Sequence, residues 1–172
     1  MSTIAPLLRI PVGVVVERRK ARSPWVDAIW RPVAVLAGHP ETAPWTKLAS
    51  DESGERFYAG SAEIALYRSE TENYRSNLFS ETPSVWVALQ PSGAATPYAL
   101  GAVTADPAEG EGFTEAGQAI VEAVAMPDSV RAAVAAFVAE YHVERVFEKR
   151  VRDRANPEAL ARRDRRGGKP DG

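Results

Sequence analysis

Residues 10–17 read IPVGVVVE, a run rich in β-branched residues in which Val12, Val14 and Val16 occupy alternate positions. A period of two places those three valines on one face of a β-strand. Working outward, four more segments carry strand-like patterns: residues 25–37 (WVDAIWRPVAVLA), 57–68 (FYAGSAEIALYR), 85–90 (VWVALQ) and 98–104 (YALGAVT). The segment 25–37 is a single strand or a strand pair, and Pro32 predicts a sheet edge or a bulge within it because proline cannot donate to a ladder.

The connections between these segments carry weaker signals. Residues 39–55 contain two prolines and many polar residues, and residues 106–115 are acidic and contain glycines, so both are predicted to be loops. Residues 118–126 (QAIVEAVAM) fit a helix or a strand, and we favour a strand because Pro127 and Asp128 follow as a boundary. Residues 69–72 (SETE) fit a capping box that begins a short helix.

The C-terminal part is predicted to be helical. From residue 129 the sequence SVRAAVAAFVAEY has high helix propensity, and one face of it is apolar: Val130, Val134, Phe137, Val138 and Tyr141. Beyond His142 a second apolar stripe follows on the opposite side, made of Val143, Val146, Phe147 and Val151. Either the chain bends there into a second helix, or one long helix presents this second stripe as a protein interface.

These patterns together predict an α+β fold: an antiparallel sheet or a small, partly open barrel of five to six strands, with C-terminal helices. Residues 1–155 are predicted to form a single domain. Residues 156–172 form a basic tail whose composition predicts disorder.

Composition removes several classes of function. The 172 residues include no cysteine and only two histidines, which excludes disulfides, thiolate metal sites and histidine-rich metal sites within the chain. No phosphate-binding loop and no hydrolase motif is present. We therefore predict no metal site and no cofactor, and we do not favour an enzyme.

The formal net charge of −2 conceals an uneven distribution. Residues 1–32 carry six basic and two acidic groups, residues 33–144 carry five and sixteen, and residues 145–172 carry ten and five. The basic ends either contact an anionic partner or are solvated. Nucleic acid is disfavoured because no aromatic residue follows Phe147. The absence of an export signal and of a long apolar run predicts a cytoplasmic protein that does not enter a membrane.

Two groups of polar residues are candidate binding sites. The first joins Glu17, Arg18 and Arg19 to Trp30 and Arg31, where guanidinium groups are suited to bind a carboxylate or a phosphate. The alternative is a strand end whose charges point to water.

The second group follows the strand at 57–68 and includes Glu70, Tyr74 and Asn77, with Glu72 and Arg75 beside them. These residues form either a polar site or a capped, solvated turn. If both groups belong to one site, Glu17, Arg18, Arg31, Glu70 and Tyr74 should converge on one pocket.

A succession of segments resembles the bacterial domain-of-unknown-function family numbered 3305, over roughly residues 10–150. The segments are VGVVVERRKARSPWVDAIWRPVAVL, AEIALYRSETENYRSNL, PSVWVALQP and VAMPDSVRAAVAAFVAEYH. Genes of that family typically stand beside genes for molybdenum-dependent formate dehydrogenase. The resemblance therefore implies a non-enzymatic accessory or maturation protein that binds a client, either the formate dehydrogenase catalytic subunit or one of its assembly factors. The alternatives are a small-molecule or anion-binding module, with or without enzymatic activity, and a homo-oligomeric scaffold.

Overall fold

A computed structural model describes residues 4–93 and 95–143 of the chain. The strands within them are β1 (Leu8–Lys20), β2 (Ala28–Ala37), β3 (Thr46–Asp51), β4 (Gly54–Leu66), β5 (Ser84–Pro91), β6 (Tyr98–Thr104) and β7 (Ile120–Ala125). The helices are α1 (Thr71–Leu78), α2 (Pro107–Gly112) and α3 (Asp128–Tyr141). Short 3-10 turns at Arg68–Glu70 and Phe113–Ala116 precede α1 and follow α2.

The strands form two antiparallel sheets. The first has the order β2-β1-β4-β3 and the second the order β6-β5-β7. The predicted α+β class is confirmed, but the prediction of one sheet or barrel of five to six strands is wrong. The chain leaves the first sheet at β4 and passes through α1 before β5, and β5 then starts a separate sheet with β6 and β7 as its neighbours.

The core lies where the inner faces of the strands meet the helices. Val12, Val14 and Val16 of β1 are fully buried there, as the alternating pattern predicts. Buried apolar side chains from other elements join them in one cluster: Ile64, Leu66, Val85, Val87, Leu89, Val130, Val134 and Phe137. The predicted apolar face of α3 is therefore confirmed, with Val138 and Tyr141 partly buried at its edge.

Pro32 lies on an edge strand and at a bulge, as predicted from its missing N–H group. Strand β2 is an edge strand, and the β1–β2 register shifts at Val16, the residue that pairs with Pro32. An edge position and a bulge both tolerate the missing N–H. Residues 118–126 contain β7, which confirms the choice of a strand there.

Three local predictions are wrong. Residues 39–55 contain β3, whose six residues are all exposed and so lack an alternating apolar pattern. Residues 106–115 contain α2, which starts because the Asp106 carboxylate accepts hydrogen bonds from the Ala108 and Glu109 N–H groups. The short helix predicted after Ser69 is confirmed as α1, but its capping box is absent: α1 starts at Thr71 without a side-chain cap, and the Ser69 hydroxyl instead donates to Glu70.

The chain divides into two units after His142. All the strands and helices given above belong to the first unit, and α3 ends at Tyr141 with His142 in an extended conformation. Residues 143–172 form the second unit, of which only Val143 lies within the described residues. No helix in the described part of the chain is long and apolar enough to span a membrane.

Helix α2 offers a matched pair of glycine substitutions. A Cβ on Gly110 would lie 2.6 Å from Cβ and Cδ1 of Trp86, whereas at Gly112 no described atom would come within 4 Å. We expect Gly110→Ala to lower the free energy of unfolding by about 1–3 kcal/mol through overpacking. We expect Gly112→Ala to leave it unchanged or to raise it by up to about 1 kcal/mol through helix propensity. Urea denaturation measures both, and equal stability of the two variants would contradict this packing.

Candidate functional site

The first candidate group is built around Glu17 on the central strand β1. Glu17 pairs with Arg31 on β2 and with Arg56 on β4, so the three residues form one row across the sheet. Directly paired residues of antiparallel strands point to the same face. Because Val16 points into the core, Glu17 and its two neighbours lie on the outer face of the first sheet.

Glu17 is only 2% exposed although it is charged. Its Oε1 accepts a hydrogen bond from Arg19 Nε and lies 3.7 Å from Arg31 Nε. Its Oε2 lies 3.6 Å from Arg56 Nε. These four residues, Glu17, Arg19, Arg31 and Arg56, are called the arginine cluster below.

The arginine cluster stabilises a carboxylate that would otherwise be costly to bury. Removing an ion from water is unfavourable unless opposite charges and hydrogen bonds replace the solvent. The three arginines supply those charges, and about half of each arginine side chain stays exposed. Glu17 therefore holds three cationic side chains together on one solvent-facing surface.

A pocket of about 80 Å³ adjoins the cluster, between β1 and the β3–β4 hairpin. It is lined by Glu17, Ala49, Asp51, Ser53, Gly54 and Arg56. Gly54 has a φ of 149°, and a Cβ there would collide with the Arg18 carbonyl oxygen, so only glycine lets the hairpin approach β1 this closely.

Asp51 contributes a second negative charge to the pocket. Its Oδ1 accepts hydrogen bonds from the Ser53 hydroxyl at 2.5 Å and from the Ser53 N–H at 2.8 Å. Both hydrogen bonds stabilise the ionised carboxylate and lower the pKa of Asp51 below its ordinary value, and the bond from the hydroxyl makes the larger contribution. Asp51 is therefore ionised at neutral pH.

Arg18 lies on the opposite face of β1 from Glu17. Its Nη1 is 3.7 Å from Glu55 Oε2, and its guanidinium carbon lies 5.8 Å from the centre of the Trp30 ring. Trp30 in turn packs against the core beside Trp45, Phe57 and Tyr98. The structure thus separates Arg18 from its sequence neighbours Glu17 and Arg19.

The second candidate group forms a different structure at α1. Tyr74 is buried, and its hydroxyl accepts a hydrogen bond from the Tyr67 N–H at 2.9 Å. Burial raises the pKa of Tyr74 to about 12, so the phenol is neutral at physiological pH. Asn77 donates to the carbonyl groups of Ser84 and Ala105 at 2.8 and 2.9 Å, tying α1 to the second sheet.

Glu70 lies at the start of α1 and accepts hydrogen bonds from Asn73 at 3.1 Å and from Ser69 at 3.2 Å. The polar contacts of Glu70, Tyr74 and Asn77 are thus made with α1 and the segments around it, whereas those of Glu17 and Arg31 lie within the first sheet. The structure brings Glu17 and Arg31 together and places the α1 group elsewhere.

The candidate interface beyond His142 falls mostly outside the described residues. Val143 is 70% exposed, while Val146, Phe147 and Val151 lie outside the described part of the chain. Within residues 4–93 and 95–143, no three His, Asp or Glu side chains are grouped so that they could hold a metal ion.

Arg56 is the member of the cluster that sequence reasoning missed. It lies 39 positions after Glu17, and only the pairing of β1 with β4 places the two residues side by side. Arg19 belonged to the charged stretch already noted, but its selection over Arg18 follows from the strand face. To find Arg56 from the sequence, one would have to predict which residues of β4 pair with which residues of β1.

Neutralising Glu17 tests the role of this carboxylate. We expect Glu17→Gln to lower the free energy of unfolding by about 1–3 kcal/mol, the range for losing charge-assisted hydrogen bonding. The loss should shrink between 0.05 M and 0.5 M NaCl, because salt screens the repulsion among three half-exposed arginines.

The matched control is Glu63→Gln, which removes an exposed carboxylate 3.5 Å from Arg9 on the same sheet. We expect a change below about 0.5 kcal/mol there. Urea denaturation of both variants at the two salt concentrations is the measurement. A Glu17→Gln variant as stable as the Glu63→Gln variant would show that the contacts between Glu17 and the arginines do not stabilise the fold.

Comparison with known proteins gives one family. No curated protein and no solved structure matches the chain. A family model described as "Protein of unknown function (DUF3305)" matches residues 11–151, which span β1 to α3 and include the arginine cluster. The resemblance noted from the sequence is therefore confirmed, and the chain belongs to the DUF3305 family.

Proposed function

We propose that this protein is a non-enzymatic accessory or maturation protein that binds a protein client, and that its client is the catalytic subunit of a molybdenum-dependent formate dehydrogenase or one of its assembly factors. The choice of client is supported by the gene neighbourhood that the family resemblance implies. The binding role is supported by the surface of the protein itself.

The observation that carries the binding role is the apolar surface at the connection between β1 and β2. Trp25 and Val26 in that connection are 91% and 50% exposed, and Ile29 at the start of β2 is 54% exposed. Large apolar side chains grouped on the surface favour a protein contact, and tryptophan is enriched among the residues that dominate binding energy. Together with Lys20 and Arg22, which are also exposed, these residues are called the hairpin end.

The hairpin end is suited to an acidic partner surface, because its two basic residues outnumber Asp27, the one acidic residue between β1 and β2. Trp25 and Val26 would supply the desolvated centre of the contact, and the basic residues would surround it as a polar rim. Opposite charge across the rim accelerates association and selects the partner. This arrangement needs no reaction chemistry and fits a protein that holds another protein.

The test is capture of the client from the native cell by the tagged full-length chain. We expect the wild-type chain to co-purify with the formate dehydrogenase catalytic subunit. We expect Trp25→Ala to reduce the captured amount about tenfold or more, the effect of losing an interface hot spot. Deleting the gene should also lower formate oxidation by the cell.

Phe79→Ala is the matched control, since Phe79 is 80% exposed but lies at the end of α1. We expect this variant to capture the subunit as the wild-type chain does. No association of the wild-type chain, together with normal formate oxidation in the deletion strain, would overturn the proposed function.

A further inference from the structure

The arginine cluster carries more positive charge than its own carboxylate neutralises. Three guanidinium groups surround Glu17, and their side chains are 47–56% exposed. The four residues together have a net charge of +2, and Asp51 in the adjoining pocket reduces this only to +1. An excess of cationic groups fixed on one surface attracts an anionic ligand.

Unlike Arg19, Arg31 and Arg56 do not donate hydrogen bonds to Glu17. Arg31 and Arg56 approach it through Nε at 3.7 and 3.6 Å, which is too long for a direct hydrogen bond. Their N–H groups therefore remain available to a second acceptor. A guanidinium group presents a planar fork that matches a carboxylate or a phosphate with two parallel hydrogen bonds.

The size of the pocket selects a ligand group that belongs to a larger molecule. About 80 Å³ is well below the roughly 300–1,000 Å³ of pockets that enclose small molecules. A single acidic group projecting from a larger partner needs no such enclosure. The ionised Asp51 beside the cluster also disfavours a dianionic phosphate more strongly than a singly charged carboxylate.

Apolar surface beside the cluster indicates that the larger molecule is a protein. Ile29 pairs with Arg19 and precedes Arg31 by two residues on β2, so all three lie on the outer face of the sheet. Ile29 is also part of the hairpin end with Trp25 and Val26. The arginine cluster and the hairpin end therefore meet at Ile29, on the outer face of β2.

We propose that the arginine cluster binds an aspartate or glutamate side chain from an acidic segment of the partner protein, while the hairpin end packs on apolar residues of the same segment. This inference rests on the proposed client-binding function, and it adds the chemistry by which the client is recognised.

The test uses fluorescence anisotropy with the full-length chain and a fluorescein-labelled ten-residue polyglutamate peptide in 50 mM NaCl. We expect binding to the wild-type chain and none of a labelled polyglutamine peptide. Arg31→Gln and Arg56→Gln should each weaken binding about five- to tenfold, the effect of losing a charge-assisted contact. Arg31→Lys should fall between Arg31→Gln and the wild-type chain, because it keeps the charge but loses the planar fork.

Arg9→Gln is the matched control for net charge. Arg9 lies eight residues before Glu17 on the same strand and is 59% exposed. We expect this variant to weaken binding less than about twofold. Circular dichroism and urea denaturation verify that each variant is folded, so that a loss of binding reports on the surface.

Several results would overturn the inference. If Arg9→Gln and Arg31→Gln weaken peptide binding equally, the affinity depends only on the net charge of the protein and not on the arginine cluster. Displacement of the peptide by inorganic phosphate, at matched ionic strength and micromolar concentration, would identify phosphate as the ligand. Self-association of the wild-type chain in sedimentation, abolished by Arg31→Gln, would identify a second copy of the chain as the occupant.

Failure of the inference is distinguishable from failure of the proposed function. If Arg31→Gln and Arg56→Gln capture the formate dehydrogenase subunit as well as the wild-type chain, the inference fails while the proposed function stands. If the two variants lose the acidic peptide but the wild-type chain captures no subunit, the named client is wrong and the acidic recognition stands.

Discussion

Strand β1 pairs with β2 on one side and with β4 on the other, and both of its faces are buried along residues 12–17. On the inner face three valines pack into the core between the two sheets and the helices. On the outer face the chain places Glu17, which stays buried because three arginines replace its solvent. The register of the first sheet and the position of its charged surface both depend on this one strand.

Burial of Glu17 links the stability of the sheet to its surface chemistry. The carboxylate lies close to cationic side chains from β1, β2 and β4, so an arriving acidic group meets several of them at one site. The nearby hairpin end, with Trp25 91% exposed, supplies apolar contact area. This area is needed because ion pairs exposed to water contribute little binding free energy by themselves.

Patterns with strong periodicity predicted individual strands and the amphipathic helix α3 well, but not the division into two sheets, and the elements that were missed have identifiable physical causes. The valines of β1, the apolar face of α3 and the edge position of Pro32 follow from side-chain spacing and from the missing proline N–H. Strand β3 was missed because its residues are all exposed and only its pairing with β4 makes it a strand. Helix α2 was missed because its two glycines suggest a loop, whereas Gly110 is required beneath Trp86.

By itself, the sequence determined that the chain has a core of β-branched strands with an amphipathic C-terminal helix, that it lacks thiolate and histidine-rich metal chemistry, and that it resembles the DUF3305 family. These properties reside in composition and in spacing along single segments. Only the tertiary structure decided that Glu17 contacts Arg19, Arg31 and Arg56 and not Arg18. It also decided that Tyr74 and Asn77 make hydrogen bonds that connect α1 to the neighbouring backbone. The reason is that side-chain proximity across a sheet depends on strand register and face, which join residues far apart in the chain.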